Sequence, residues 1–310
     1  MESGESLGEF AALDLGSNCF RLERGRCGPE GYACQTYERH PVRLGAGLDG
    51  AGRLDESTLQ RGWDSLTALA PLLQGLPKAR IRAVATQTLR EAVNRDVFLA
   101  RAAEILGVPV EVISGHEEAR LIYAGVTLLQ PDERPRLVID IGGRSTEIIR
   151  GQGLTLQHSD SVALGSVGLT QAYFADGVMS AAAFEAAIAS ASQRLKPVAD
   201  AVRPLGWEQA LGASGTVNAV SQDLRESGQG DGVIREAVVL GLQSLCLKAG
   251  HLSSLSLAAL RPDRRAALPG GVAALRAVFQ AFGMDAIHPA KGALRQGVIA
   301  DLQARSAPPN

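Results

Sequence analysis

The hydrophobic pattern predicts a strand, a tight turn and a returning strand between Leu137 and Ile149. An apolar, β-branched run leads to Asp140, two glycines follow, and a second apolar run begins after hydroxyl side chains. Gly142 and Gly143 permit backbone N–H groups to crowd toward an anion, which a Cβ would hinder. A carboxylate beside such a turn suits a phosphate with a divalent cation, although an ordinary hairpin with a polar tip shows the same pattern.

The same pattern occurs earlier in the chain, over residues 10–22. There Asp14 and Gly16 take the places of Asp140 and Gly142. Two such hairpins, one in each half, predict a duplicated α/β architecture with a cleft between the copies. Each copy would then present one carboxylate and one glycine turn to the same phosphate chain.

A third glycine turn follows an apolar run over residues 210–213 and precedes a helical pattern. Ser214, Gly215 and Thr216 would lie at the N-terminus of that helix, where backbone N–H groups can bind an anion or a ribose. A plain strand–helix connection with Ser214 as the N-cap is the competing interpretation.

Two adjacent glutamates begin another predicted helix, and their spacing separates their roles. Ser114 and Glu117 have the spacing of a capping box, which assigns Glu117 to the backbone. Glu118 has Leu121 and Ile122 three and four residues later, so it faces the interior or a cleft. A carboxylate on an apolar face is either functional, as a general base would be, or a buried glutamate satisfied by an arginine.

Length and composition narrow the class of protein. The chain has 310 residues, 45% of them hydrophobic, a mean hydropathy of +0.04 and a formal charge of −2, which gives no support for nucleic-acid binding. The four cysteines lack metal-site spacing, and no apolar run is long enough to span a bilayer. We therefore expect a cytoplasmic protein without a membrane partner, and the sequence leaves the oligomeric state open, with a homodimer among the options.

The chain is long enough for two domains. We predict them at 1–126 and 127–310, with the last helix free to pack back on the first domain. A short helix is predicted over 256–260, and the ends at 1–9 and 307–310 are predicted to be flexible.

Five motifs taken in order resemble those of the exopolyphosphatase / guanosine pentaphosphate phosphatase (Ppx/GppA) family. The motifs are Asp14-Leu15-Gly16-Ser17-Asn18, Ala85-Thr86 with Arg90-Glu91-Ala92 and Asn94, Ile113-Ser114-Gly115 with Glu117-Glu118-Ala119, Ile139-Asp140-Ile141-Gly142-Gly143 with Ser145-Thr146-Glu147, and Gly212-Ala213-Ser214-Gly215-Thr216, with Leu294-Arg295-Gln296-Gly297 near the end. The resemblance implies the two-domain actin / sugar kinase / Hsp70-like fold, with duplicated ribonuclease H-like domains and a site in the cleft between them. It also implies the short form of the family, without the helical C-terminal region that some members carry.

The resemblance also implies roles for particular residues. Glu118 matches the catalytic base, Asp140 and Glu147 match the carboxylates that hold Mg²⁺ or Mn²⁺, and Arg90 matches a phosphate ligand. The predicted substrate-binding residues are Asp14, Gly16, Ser17, Asn18, Arg21, Arg90, Gly142, Gly143, Arg144, Ser145, Thr146, Ser214, Gly215 and Thr216.

Two departures from the family pattern bear on the substrate. This chain has Arg144 where the family usually has glycine, and Gly168 where it usually has arginine. Arginines recur in or beside the motifs, whereas an aromatic platform for a base is absent from them, so we predict that the chain releases orthophosphate from long inorganic polyphosphate. Hydrolysis of pppGpp to ppGpp is the alternative substrate, and a nucleotide- or polyphosphate-binding regulator without turnover is the alternative of another class.

Overall fold

The computed structural model describes residues 8–28, 30–228, 230–255 and 265–306. These residues form two compact units. Unit 1 contains the described residues up to Pro131 together with those from Gly292 onward, and unit 2 runs from Asp132 to Lys291. The helix predicted over 256–260 lies outside the described residues, as do 1–7 and 307–310, which make up most of the ends predicted to be flexible.

The strands and helices alternate along much of the chain, as an α/β fold requires. The strands are β1 (Phe10–Leu15), β2 (Phe20–Gly28), β3 (Gly31–His40), β4 (Ile81–Ala85), β5 (Val110–Val112), β6 (Pro135–Ile141), β7 (Thr146–Gln152), β8 (Thr155–Val162), β9 (Gln209–Gly212), β10 (Ile234–Arg235) and β11 (Ala286–Pro289). The helices are α1 (Glu56–Leu69), α2 (Gln87–Glu91), α3 (Arg95–Leu106), α4 (Gly115–Leu129), α5 (Ser166–Tyr173), α6 (Ala181–Val202), α7 (Gly215–Glu226), α8 (Glu236–Ala249), α9 (Leu268–Phe282) and α10 (Leu294–Ser306). Within the described ranges, no helix is both long and apolar enough to cross a bilayer.

Unit 1 is built on a sheet with the strand order β3-β2-β1-β4-β5. The central strand, β1, pairs antiparallel with β2 and parallel with β4, and β4 pairs parallel with β5. Every residue of β1 is buried, because helices cover a central strand on both faces, and this burial explains the continuous apolar run that precedes Asp14.

Unit 2 repeats this topology. Its sheet has the order β10-β11-β9-β6-β7-β8, and its central strand, β6, pairs antiparallel with β7 and parallel with β9. From β8 to β11 the order matches that of unit 1 from β3 to β5, and β10 adds an antiparallel edge strand. The repeated topology confirms the predicted α/β fold with duplicated ribonuclease H-like domains.

Each unit has its own apolar core, formed where helices cover the sheet. Leu13, Phe20 and Phe98 lie in the core of unit 1, and Ile139 and Phe184 lie in the core of unit 2. The two central strands are therefore anchored independently, and each places its carboxylate at the end of a rigid element.

The last helix belongs to unit 1, a position that the predicted domains at 1–126 and 127–310 left open for it. Helix α10 packs directly on α4, and glycines allow their backbones to touch. A Cβ on Gly125 would collide with the carbonyl of Ala293, and a Cβ on Gly297 would collide with the carbonyl of Leu121. Ion pairs from Asp301 to unit 1 arginines add to this contact, so the boundary at Pro131 leaves 292–306 with the first unit.

Candidate functional site

The first hairpin, β1–β2, places a cation beside its carboxylate. Asp14 and Arg21 are cross-strand partners, and Arg21 Nη1 donates to Asp14 Oδ2 across 3.0 Å. Asp14 is only 5% exposed, so its charge needs a cationic neighbour. The Gly16 N–H donates to the Cys19 carbonyl across 3.2 Å, and a Cβ on Gly16 would lie 3.2 Å from that same oxygen. The turn therefore leaves little room for a side chain at Gly16.

The rest of this turn is fixed by neighbouring loops. Thr88 Oγ1 donates to the buried Ser17 Oγ across 2.8 Å, and the Arg43 N–H donates to the Asn18 carbonyl across 2.9 Å. Arg43 has a φ of 56°, a left-handed conformation that is uncommon for residues other than glycine. Ser17 and Asn18 are thus held in place by α2 and by the loop after β3.

Arg90 and Glu118, the predicted phosphate ligand and the predicted base, form an ion pair. Arg90 Nη1 donates to Glu118 Oε2 across 2.8 Å and to the Ile113 carbonyl across 2.9 Å. Its Nε and Nη2 donate to Gln87 Oε1 across 3.0 and 2.7 Å. Glu118 is buried, with 7% of its surface exposed, so it faces inward as the apolar spacing predicted. The pairing with Arg90 matches the interpretation of Glu118 as a buried glutamate satisfied by an arginine. It is equally compatible with Glu118 as a general base.

Glu117 differs from the prediction in the use of its carboxylate. Ser114 caps α4, because its Oγ accepts from the Glu117 N–H across 3.1 Å. The Glu117 carboxylate instead accepts from Arg120 across 2.7 Å and from Arg82 across 3.3 Å. The hydrogen bond from Arg120 is the largest cause of a pKa for Glu117 below its ordinary value of 4.5, against the opposing effect of burial. The carboxylate is thus part of an ion-pair network and does not complete a capping box.

The second hairpin, β6–β7, pairs two carboxylates. Asp140 and Glu147 are directly opposite each other in the antiparallel register, which places both side chains on the same face of the sheet. Glu147 is 1% exposed, and its Oε1 accepts from Ser161 Oγ across 2.9 Å. Asp140 is half-buried, so it is the more accessible member of the pair.

The glycine turn of this hairpin closes on the start of helix α5. The Gly142 N–H donates to the Ser145 carbonyl across 2.9 Å. The Gly143 carbonyl accepts from the N–H groups of Val167 and Gly168 across 2.8 and 3.0 Å. The turn and the first residues of α5 therefore form one hydrogen-bonded unit, which fixes the conformation of the turn.

The predicted threonine donors are used inside the protein. Thr146 is fully buried and donates from Oγ1 to the Leu164 carbonyl across 2.7 Å. Thr216 donates from Oγ1 to the Ile141 carbonyl across 3.2 Å. A hydroxyl has one proton to donate, so in this conformation both threonines stabilise the turns instead of presenting a donor to a substrate. Ser145 is also buried, with 4% of its surface exposed.

At the third turn the structure shows the capping arrangement. Ser214 is the N-cap of α7, and its Oγ accepts from the Val217 N–H across 3.1 Å. Gly215 is the first residue of the helix and is half-buried. Ser214 Oγ acts here as an acceptor, as the competing interpretation expected, and the anion site at Ser214, Gly215 and Thr216 stays a prediction.

Arg144 points along helix α5. Its Nη1 donates to Gln171 Oε1 across 3.1 Å in an exposed setting. A Cβ on Gly168 would meet no atom within 4 Å, so the helix has space for a side chain there. The two positions that depart from the family pattern thus lie on or beside the same helix.

The two hairpins present different charges to a ligand. The partner of Asp14 across the strands is a cation, Arg21, whereas the partner of Asp140 is a carboxylate, Glu147. Mg²⁺ is commonly held by one or two carboxylates, with water and phosphate oxygens completing its shell. The donor set of the second hairpin fits such an ion, and no group of three or more potential ligands occurs among the described residues.

Sequence reasoning missed a polar cluster beside Asp14. Arg295 Nη1 lies 3.7 Å from Asp14 Oδ2, and Arg295 Nε donates to Glu23 Oε2 across 3.0 Å. Gln296 Nε2 donates to both oxygens of Glu23 across 2.8 Å. The sequence did contain a signal for this cluster, because Arg295 and Gln296 lie in the run from Leu294 to Gly297 that resembles the family. Neither residue was assigned a role from the sequence.

Comparisons with known proteins identify sequences and folds similar to those of this chain. The sequence profile of the Ppx/GppA phosphatase family matches residues 30–306. A protein of Vibrio parahaemolyticus named guanosine-5'-triphosphate,3'-diphosphate pyrophosphatase is 41% identical over 293 residues, covering 94% of this chain. The chain spans 59% of the length of that relative.

Solved structures share the fold. An exopolyphosphatase from Cytophaga hutchinsonii superimposes with a TM-score of 0.86 at 22% identity, covering 97% of this chain and 99% of the other. The Ppx/GppA family member from Aquifex aeolicus superimposes with a TM-score of 0.77 at 21% identity, covering 97% and 99% of the two chains. These likenesses confirm the predicted actin-like fold, and the profile and the close relative confirm the predicted family. The chain belongs to the Ppx/GppA phosphatase family.

Proposed function

We propose that this chain hydrolyses the terminal phosphoanhydride of pppGpp, producing ppGpp and orthophosphate. The observation that carries the proposal is the 41% identity, over 94% of the chain, to a relative named for guanosine-5'-triphosphate,3'-diphosphate. Because the chain spans 59% of that relative, the substrate is a proposal for this chain and not a property taken over from the relative.

The arginine argument for polyphosphate weakens once the contacts are known. Arg21 is paired with Asp14, Arg90 with Glu118, and Arg144 donates to Gln171. Two of these cations are paired with carboxylates in the resting structure, so they do not form a continuous track for a long polyanion, and binding of a single phosphate at Arg21 would favour neither substrate. Membership of the family supports polyphosphate only as one of the family's substrates, so we treat it as the comparison substrate.

Glu118 is the proposed general base for the attacking water. A general base must be held in position, and the Arg90 guanidinium donates to Glu118 Oε2 across 2.8 Å. The pair also fixes the orientation of the carboxylate, since Arg90 is itself held by Ile113 and Gln87. Positioned general bases contribute roughly 10²–10⁴-fold to the rate.

Asp140 and Glu147 are the residues that would hold Mg²⁺ or Mn²⁺. When bound, such an ion would offset the negative charge of the phosphoryl oxygens. The Ser161 hydroxyl orients Glu147 across 2.9 Å, and the turn at Gly142 and Gly143 is held rigid by its bonds to α5. The Gly142 N–H is already donated to the Ser145 carbonyl, so we propose that the N–H of Gly143 faces the phosphates, where the absence of a Cβ allows close approach.

The proposed function is tested by a substrate panel with the purified chain and Mg²⁺. Phosphate release from pppGpp, GTP and long-chain polyphosphate is compared as kcat/KM. We expect pppGpp to have the highest value, and a preference for long polyphosphate by tenfold or more would contradict the proposal. Binding of pppGpp without release of phosphate from any of the three would establish the regulator without turnover.

A further inference from the structure

Arg295, in the first turn of α10, contacts three side chains of unit 1. Its Nε donates to Glu23 Oε2 across 3.0 Å, and its Nη1 lies 3.7 Å from Asp14 Oδ2. Its guanidinium carbon lies 5.1 Å from the centroid of the Tyr37 ring. The side chain is 14% exposed, so the guanidinium is held on several sides.

Glu23 is a rigid anchor for this arginine. It lies on β2 with 3% of its surface exposed, and it accepts from Gln296 Nε2 across 2.8 Å and from the Tyr32 hydroxyl. A buried carboxylate with this many donors has little freedom to move. The Arg295 Nε contact with Glu23 therefore fixes where its Nη1 lies relative to Asp14.

Two guanidinium groups thus approach the same oxygen of Asp14. Arg21 Nη1 is hydrogen-bonded to Asp14 Oδ2 at 3.0 Å, and Arg295 Nη1 is at 3.7 Å. A buried carboxylate that loses its only cation is strongly penalised. With Arg295 in place, Asp14 keeps a positive neighbour even when Arg21 turns away.

We propose that Arg295 is a positioning residue that compensates Asp14 while Arg21 exchanges its partner for a substrate phosphate. Arg21 lies at the turn, since its Nη1 is 3.8 Å from where a Cβ of Gly16 would be. In the resting state Arg21 is bonded to Asp14, and in the bound state its guanidinium donates to the anion while Arg295 closes on Asp14. The inference deepens the proposed function and rests on it for the identity of the anion.

The test uses the full chain with Glu23→Gln as the background, so that position 23 carries no buried charge for Arg295 to compensate. The variants are Glu23→Gln, Glu23→Gln/Arg295→Met, Glu23→Gln/Arg21→Met and the triple variant that combines all three substitutions. Arg305→Met is the matched control, because Arg305 lies on the same helix and pairs with Asp301 across 2.8 Å. Thermal unfolding of each variant establishes that it folds.

We expect Arg295→Met, in the Glu23→Gln background, to raise KM for pppGpp roughly tenfold with kcat changed less than about threefold, as the loss of one charge-assisted contact would do. Calorimetric titration with inorganic pyrophosphate should show a matching loss of affinity. In the triple variant, removing Arg295 should add nothing to the effect of removing Arg21, because both substitutions act on one phosphate contact. Arg305→Met should leave KM and pyrophosphate binding unchanged.

An unchanged KM for Glu23→Gln/Arg295→Met relative to Glu23→Gln would overturn the inference. Fully additive effects of Arg21→Met and Arg295→Met would also overturn it, because the two arginines would then act independently. A wild-type chain that binds pyrophosphate but releases no phosphate from pppGpp would refute the proposed function instead, and the binding arm would still decide the role of Arg295.

Discussion

The adjacent glutamates of α4 provide the most discriminating pair of substitutions. Glu118→Gln keeps the size of the side chain, and the amide oxygen can still accept from Arg90 Nη1 across the present 2.8 Å. The substitution removes the ability to take a proton from water. Glu117→Gln is the matched control, since it makes the same chemical change one residue earlier, on a side chain that contacts Arg120 and Arg82.

The magnitudes follow from the contacts. Breaking a buried ion pair costs about 3–5 kcal/mol when the remaining charge has no other partner, but Arg90 keeps its contacts with Ile113 and Gln87. We therefore expect Glu118→Gln to lower the free energy of unfolding by about 1.5–3 kcal/mol at most, the contribution of a hydrogen bond to a charged group. Turnover should fall by roughly 10²–10⁴-fold, as for the loss of a positioned general base.

The assay measures phosphate release from pppGpp at saturating substrate, with urea unfolding of the same samples. Glu117→Gln should retain most of its turnover, because its carboxylate belongs to the network with Arg82 and Arg120. Equal residual activities of the two variants would refute the separation of their roles. A Glu118→Gln protein that is folded and fully active would remove Glu118 from the mechanism.

Three further predictions follow from the contacts. Asp140→Asn should raise the Mg²⁺ concentration for half-maximal activity by at least about tenfold. Asp14→Asn should raise it less, because the strand partner of Asp140 is Glu147 and that of Asp14 is an arginine. A metal titration that shows the larger shift for Asp14→Asn would reverse the assignment of the metal site. Arg144→Gly should change KM for long polyphosphate by less than about threefold, since Arg144 is an exposed cation whose attraction for a polyanion is screened by salt. An increase in KM that grows with chain length would support the cation track. The lowered pKa of Glu117 contributes to the free energy of unfolding above pH 4.5, and this contribution is lost as the pH falls through the lower pKa of the folded state. In urea unfolding, the difference in the free energy of unfolding between wild type and Glu117→Gln should therefore shrink below pH 4.5. A difference that stays constant with pH would refute this prediction.

Local patterns predicted the hairpins and the direction of Glu118. The apolar runs before Asp14 and Asp140 are central strands because both of their faces are covered. The face occupied by Glu118 followed from the spacing of Leu121 and Ile122 within one helix. Both signals lie within a few residues, which is the range over which period and propensity act.

Contacts between distant segments could not be predicted in this way. The Glu117 carboxylate was assigned to a capping box from its spacing to Ser114, but Arg82, 35 residues away, competes for it. Arg295 reaches Glu23 across 272 residues of sequence, because α10 packs on α4 and on the strands β1 and β2. The hydroxyls of Thr146 and Thr216 could donate to a phosphate, but in the structure they donate hydrogen bonds to carbonyls of the surrounding turns.

The central claim is that water attacks the terminal phosphorus of pppGpp, and the position of an oxygen label tests it most directly. The chain is incubated with pppGpp and Mg²⁺ in water enriched in ¹⁸O, and the products are resolved by ³¹P NMR. The account predicts ppGpp without label and orthophosphate carrying one ¹⁸O from the solvent. Label in the nucleotide product, release of pyrophosphate, or intact pppGpp after prolonged incubation would contradict it.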